Sequence, residues 1–147
     1  MKLPMSFMKA AALSALLIMA ADSCKKSSSS SQVPNVFVDI TVYTTDPQFF
    51  KLNAIGGWVY ITGGVRGIIL YHQSPDVYMA YDRNCTYNPS DAKANLVVDG
   101  SNISAVDSSC GSKFLLYDGS VTKGPAAFPL KAYQTTVNGS AIHIFNQ

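Results

Sequence analysis

Thiol and imidazole groups are the side chains in this sequence that could take part in the widest range of chemistry. The chain has 147 residues, among them three cysteines and two histidines: Cys24, Cys85, Cys110, His72 and His143. Thiolates and neutral imidazoles bind zinc, copper and iron, and two thiols in an oxidising compartment can instead form a disulfide. Both histidines fall within predicted strands, which favours a role as polar tips of half-buried strands over metal binding.

Two further groups of polar residues lie next to the cysteines. Ser108, Ser109 and Ser112 flank Cys110, but neither a histidine nor a lysine within that loop could act as their base, so nucleophilic catalysis is not expected. The pair Asp82-Arg83, just before Cys85, is interpreted as a surface ion pair.

The elements that must position these residues are short strands. Glutamate is absent, whereas Val, Ile, Thr, Tyr and Phe are plentiful and are interrupted by Gly, Asn, Asp and Ser. Strands are predicted at Val36–Thr44, Trp58–Thr62, Gly67–His72, Val77–Arg83, Asn95–Val98, Asn102–Val106, Lys113–Asp118, Tyr133–Val137 and Ala141–Phe145. The pairs Asp99-Gly100 and Asn138-Gly139 each predict a hairpin with a type I′ turn. Strands at this spacing indicate an all-β domain, a small antiparallel sandwich or barrel.

The charge balance excludes one class of function. Without residues 1–23, which contain Lys2, Lys9 and Asp22, 9 basic residues remain against 8 acidic ones. A nearly neutral domain without a basic stripe has no electrostatic footprint for nucleic acid. No nucleic-acid partner is therefore expected.

The N-terminal segment resembles the export signal of a bacterial lipoprotein. Lys2 and Lys9 precede an apolar stretch, Ala10–Ala21, that is too short to span a bilayer comfortably, and small residues then lead to Cys24. In that family the peptidase cuts before the cysteine, whose sulfur carries a lipid; ordinary cleavage that leaves Cys24 as a free thiol is the alternative. We therefore expect a signal peptide at 1–23, a lipidated, serine-rich tether at 24–35, and a β domain at 36–147. A lipid anchor implies a membrane-attached protein of the cell envelope, on the periplasmic side or at the outer membrane.

The β domain resembles the Rieske domains of ferredoxins and ring-hydroxylating oxygenases over about residues 49–146. Their second ligand motif is Cys-x-x-His-Gly-Ser-x-Phe, followed by Asp-x-x-Gly, Gly-Pro-Ala and Pro-Leu-x-x-Tyr. This chain has close analogues in Cys110–Gly119, Gly124–Ala126 and Pro129–Tyr133. Their first motif, Cys-x-His, corresponds to Cys85–Tyr87. The resemblance implies a Rieske-like fold with a small ligand-loop subdomain at about 84–120.

The same resemblance implies that the iron–sulfur ligands are degenerate. A Rieske 2Fe-2S cluster needs two thiolates on one iron and two imidazoles on the other. The four ligand positions are occupied here by Cys85, Tyr87, Asp107 and Cys110, so only Cys85 is the expected residue at its position. Since the two ligand loops of a Rieske fold converge, a disulfide between Cys85 and Cys110 is the leading expectation, with no metal. The alternative is that these four residues bind a 2Fe-2S cluster or a single iron or zinc ion.

Three functions follow from this resemblance. The leading hypothesis is a non-enzymatic envelope lipoprotein whose former cluster loops, joined by the disulfide, form a structural or interaction surface for an envelope protein partner. The second is an electron-transfer protein, an oxidoreductase component that retains a cluster or a metal. The third is a module whose Cys85–Cys110 disulfide is itself redox-active, which would require a cation such as Arg83 or Lys113 beside the thiols.

Overall fold

The computed structural model of the protein describes residues 33–147. This part of the chain contains one 3-10 helix, Pro47–Asn53, and ten strands: β1 Asp39–Tyr43, β2 Trp58–Ile61, β3 Ile68–Ser74, β4 Val77–Asp82, β5 Leu96–Val98, β6 Ser104–Asp107, β7 Lys113–Leu115, β8 Val121–Lys123, β9 Ala132–Asn138 and β10 Ala141–Phe145. The predicted all-β class is confirmed. Within residues 33–147, no helix has the length and apolar character needed to cross a membrane.

The strands form two antiparallel sheets. The larger has the order β1-β10-β9-β4-β3-β2 and the smaller the order β5-β6-β7-β8. Val42 of β1 and Val59 of β2, from opposite edges of the larger sheet, bury their side chains in the same apolar cluster. The larger sheet therefore curves around its own core. The smaller sheet contributes to a second apolar cluster.

Strand β3 lies between two cores because both of its faces are covered. Ile68 and Leu70 point into the core inside the curved sheet. Ile69 and Tyr71, on the opposite face, pack against residues of the smaller sheet. A continuous apolar run instead of an alternating one is what a strand buried on both faces requires.

The two predicted hairpins form, but the predicted turn type is wrong in both. In the β5–β6 hairpin the positive φ falls on Asn102 (62°), because the Asp99 carboxylate accepts the Ser101 N–H and so shapes a longer turn. In the β9–β10 hairpin, Asn138 pairs with Ala141, which leaves Gly139 first in the two-residue loop. Its φ of 59° fits a type II′ turn, which needs glycine at that position.

We predict that Gly119→Ala destabilises the domain by about 1–3 kcal/mol, because L residues rarely adopt positive φ. Gly119 has φ +76°, and a Cβ there would come within 2.9 Å of the Tyr81 ring. Gly100→Ala is the matched control: its Cβ would enter open space. Denaturant unfolding of both variants measures the difference. Equal stability of the two would contradict the assigned turn.

Candidate functional site

The first loop of the candidate site follows β4 and contains Cys85. The Cys85 N–H donates to the Ala94 carbonyl over 3.2 Å, which fixes the cysteine against the end of the loop. The Thr86 hydroxyl donates to the Phe128 carbonyl over 2.7 Å and ties the loop to the segment before β9. The Cys85 side chain is fully buried as a result.

The second loop connects β6 to β7 and contains Cys110. It turns tightly: the Gly111 N–H donates to the Asp107 carbonyl over 2.8 Å, and Gly111 has φ +79°. The Ser109 N–H donates to the Asp107 carboxylate over 2.8 Å. The turn therefore holds the Asp107 carboxylate and the Cys110 sulfur on the same side of the loop.

The two loops bring both thiols and the carboxylate together. The sulfurs of Cys85 and Cys110 lie 3.7 Å apart and are not covalently bonded. The Cys110 sulfur lies 3.3 Å from Asp107 Oδ2, and the three donor atoms all lie within 4.8 Å of one another. Two thiols and an acid at this spacing can be oxidised to a disulfide or can bind a single cation.

Burial governs the chemistry of Cys85. Removal from water raises the pKa of the Cys85 thiol well above its ordinary value, and the nearby Asp107 carboxylate acts in the same direction. Cys85 is therefore a neutral thiol at physiological pH. Cys110 is partly exposed, so solvent can reach the thiol pair from the Cys110 side but not from the Cys85 side.

The cations that a reactive thiol would need are engaged elsewhere. The Arg83 guanidinium stacks on the Tyr60 ring, 3.8 Å from its centroid, and its Nε donates to the Leu96 carbonyl. Lys113 forms a salt bridge of 2.7 Å with Asp99, and this bond, together with hydrogen bonds from Ser101, lowers the pKa of the Asp99 carboxyl to about 2. The two basic residues considered from the sequence are thus committed to other partners.

Tyr87 occupies a different environment from the other three ligand-position residues. It is 48% exposed, whereas Cys85 and Asp107 are buried. Tyr87 belongs to the outer surface of the first loop.

Both histidines lie on strands outside the two loops. His72 pairs with Tyr78 and stacks on its ring, whereas Ile68 pairs with Asp82 at the other end of β3 near the first loop. Four residues of strand put His72 roughly 13 Å further along β3 than Ile68. His143, on β10, lies 2.7 Å from the Asp39 carboxylate. The residues around Cys85 and Cys110 therefore do not fit a Rieske 2Fe-2S cluster, because no imidazole is available for its second iron.

Two residues have structural roles that the sequence analysis missed. The predicted Asp82-Arg83 surface ion pair is wrong: Asp82 is fully buried and accepts the Tyr133 hydroxyl over 2.7 Å. Ser112, considered only as a nucleophile, is also fully buried, and its Oγ accepts the Ala126 N–H over 2.9 Å. The Gly-Pro-Ala motif could have indicated this contact, because it ends at Ala126, whose buried N–H needs a hydrogen-bond acceptor.

Comparison with known proteins identifies the fold. No protein-family model and no curated protein matches the chain. The cyanobacterial plasma membrane Rieske protein PetC3 from Synechocystis PCC 6803 is similar to it in structure, with a TM-score of 0.55 and 23% identity over 71% of this chain and 97% of that one. The oxygenase–ferredoxin complex of carbazole 1,9a-dioxygenase has a TM-score of 0.48 and 14% identity over 76% and 94% of the two chains. The ferredoxin of carbazole 1,9a-dioxygenase from Nocardioides aromaticivorans IC177 has a TM-score of 0.43 and 16% identity over 62% and 86%.

The likeness to the cyanobacterial Rieske protein confirms the Rieske-like fold expected from the sequence. This likeness covers nearly all of the cyanobacterial protein. The chain is therefore a Rieske-like all-β protein with two thiols and a carboxylate between its loops.

We predict that Ser112→Ala destabilises the domain by about 1–3 kcal/mol, because the buried Ala126 N–H would lose its acceptor. Ser109→Ala is the control, since Ser109 is exposed and only its backbone N–H is bonded here. Thermal or urea unfolding compares the variants. If Ser112→Ala proved as stable as Ser109→Ala, Ser112 would not fasten the second loop.

Proposed function

We propose that this protein is a non-enzymatic lipoprotein of the bacterial envelope, in which a disulfide between Cys85 and Cys110 replaces the cluster of a Rieske-like domain. The observation that carries the proposal is the 3.7 Å contact between the two sulfurs, one from each loop. The joined loops then serve as a rigid surface for an envelope protein partner. Tyr87 and Phe128, each 48% exposed, lie on adjacent segments of that surface.

The two sulfurs must move closer to become bonded. A disulfide has an S–S length of about 2.05 Å, whereas the sulfurs of Cys85 and Cys110 lie 3.7 Å apart. The two thiols lose two electrons and two protons to a protein disulfide of the envelope, which is reduced to a dithiol. The cysteines are 25 positions apart, so the bond should stabilise the domain by roughly 3.5 kcal/mol on the chain-entropy model.

Both alternative functions have less support. Electron transfer through a Rieske cluster would need imidazole ligands, and His72 and His143 lie outside the loops. A redox-active disulfide would need a thiol that is exposed and near a cation. Cys85 is fully buried, and Arg83 and Lys113 are bonded elsewhere. These features favour a stable structural disulfide over a redox-active one.

We predict that Cys85→Ser and Cys110→Ser each lower the melting temperature of protein isolated without reductant, on the order of 10 °C for a loss of about 2–4 kcal/mol. The double variant should be no less stable than either single variant, because the same bond is lost in each. Calorimetry in the presence of a metal chelator measures the four proteins.

Reductant provides the matched control. It should lower the melting temperature of the wild type to that of the variants and leave the variants unchanged. A wild type that is insensitive to reductant, or a double variant clearly less stable than both single variants, would contradict the disulfide.

The lipid anchor depends on Cys24, which lies outside the described residues. We predict that Cys24→Ser either releases the protein from membranes or leaves the precursor uncleaved. The reason is the small-residue run before Cys24 and the serine-rich spacer Ser27–Ser31 after it. Membrane fractionation with immunoblotting decides the matter. Normal processing and continued membrane association of the variant would refute the anchor.

A further inference from the structure

We propose that, when its thiols are reduced, the domain binds a single divalent cation, Zn²⁺ or an ion with the same ligand preference, through Cys85, Cys110 and Asp107. This site would be distinct from a Rieske centre, which needs imidazoles and two irons. It involves the same two loops as the disulfide but requires that both thiols are reduced.

The distances between the donor atoms suit one tetrahedral cation. With Zn–S bonds of about 2.3 Å, two sulfurs of a tetrahedral zinc site lie about 3.8 Å apart. The sulfurs of Cys85 and Cys110 lie 3.7 Å apart. A sulfur and a carboxylate oxygen on the same ion would lie about 3.5 Å apart, and the Cys110 sulfur is 3.3 Å from Asp107 Oδ2. A cation could therefore bind with small shifts of the side chains.

The Asp107 carboxylate supplies an independent reason for a cation at this place. Asp107 is only 2% exposed, and its carboxylate accepts the Ser109 N–H and the Cys110 thiol. Within residues 33–147, the salt bridges join Lys113 to Asp99 and His143 to Asp39, so no basic side chain pairs with Asp107. A buried carboxylate is normally paired with a cation or coordinates a metal. A divalent ion between Asp107 and the two sulfurs would meet that need.

The donor set favours zinc over harder ions. Thiolate ligands select zinc and similar soft ions over magnesium and calcium, which prefer oxygen. On binding, the two thiols release two protons, and the ion holds two thiolates and one carboxylate. Because Cys110 is partly exposed, a water molecule can complete the tetrahedron from the open side. Oxidation of the thiols would remove both sulfur ligands, so the cation and the disulfide exclude each other.

Cobalt serves as the probe, because tetrahedral Co²⁺ bound by thiolates absorbs visible light and gives a thiolate-to-metal band in the near ultraviolet. The mature protein in detergent is reduced without oxygen, freed of reductant and titrated with Co²⁺. We expect saturation at one ion per chain and loss of the absorption when Zn²⁺ is added. Asp107→Asn keeps a side-chain acceptor for Ser109 but removes the charge, and it should weaken binding roughly tenfold or more. Cys110→Ser should weaken Co²⁺ binding and reduce the thiolate band, because one of the two thiolate ligands is lost.

Asp118→Ala is the control, because Asp118 is an exposed carboxylate in the same part of the chain. This variant should bind Co²⁺ like the wild type, and circular dichroism confirms that every variant is folded. Failure of the reduced, folded wild type to bind Co²⁺, or equal affinity of Asp107→Asn and the wild type, would overturn the cation site. Free thiols in protein that was never reduced would instead contradict the disulfide. The cation site and the disulfide are thus tested by different measurements.

Discussion

The buried carboxylate of Asp82 fixes the position of the loop that carries Cys85. It accepts the N–H of Val65 over 2.7 Å, the N–H of Asn84 over 2.8 Å and the hydroxyl of Tyr133 over 2.7 Å. These bonds join the β2–β3 turn, the beginning of the first loop and strand β9 at a single point. A buried charge is tolerated only where such hydrogen bonds replace its hydration. Burial and this hydrogen bond raise the pKa of Tyr133, so its hydroxyl remains a donor. Cys85 follows three residues after Asp82, and its sulfur is thereby held where the second loop meets it.

Most of the fold could be predicted from the sequence because the strands carry local signals. The apolar run of β3 and the alternation in β1 reflect which faces are buried, and glycine and asparagine mark the turns. The details that the sequence did not predict depend on contacts between distant residues. Asp46 caps the 3-10 helix by accepting the Gln48 N–H. The role of Asp82 could not be predicted either, since Tyr133 is 51 positions away in the sequence. In the β5–β6 turn, the Asp99 side chain decided where the positive φ would fall.

In the candidate site, too, the sequence motifs predict which residues come together, but not which of them are buried. The family resemblance predicts that Cys85, Asp107 and Cys110 lie at ligand positions, and the structure brings their donor atoms within 4.8 Å of one another. Tyr87 differs from Cys85 and Asp107 because its side chain is exposed whereas theirs are buried. No motif could indicate this difference, since burial depends on how the segment containing Phe128 packs against the first loop. Without imidazoles the two loops do not fit a Rieske 2Fe-2S cluster. What remains is a pair of thiols beside a carboxylate, which oxidation would convert to a disulfide and reduction would free for a single cation.

The proposed function rests on a bond between the two thiols in the cell envelope, in place of a cluster. The most direct test is mass spectrometry of protein taken from acid-quenched cells, alkylated in denaturant without reductant and digested. We expect one cross-linked peptide pair that contains Cys85 and Cys110, with neither residue alkylated. Alkylation of both residues in most molecules, or two irons per chain in protein purified in parallel without acid or denaturant, would contradict the disulfide.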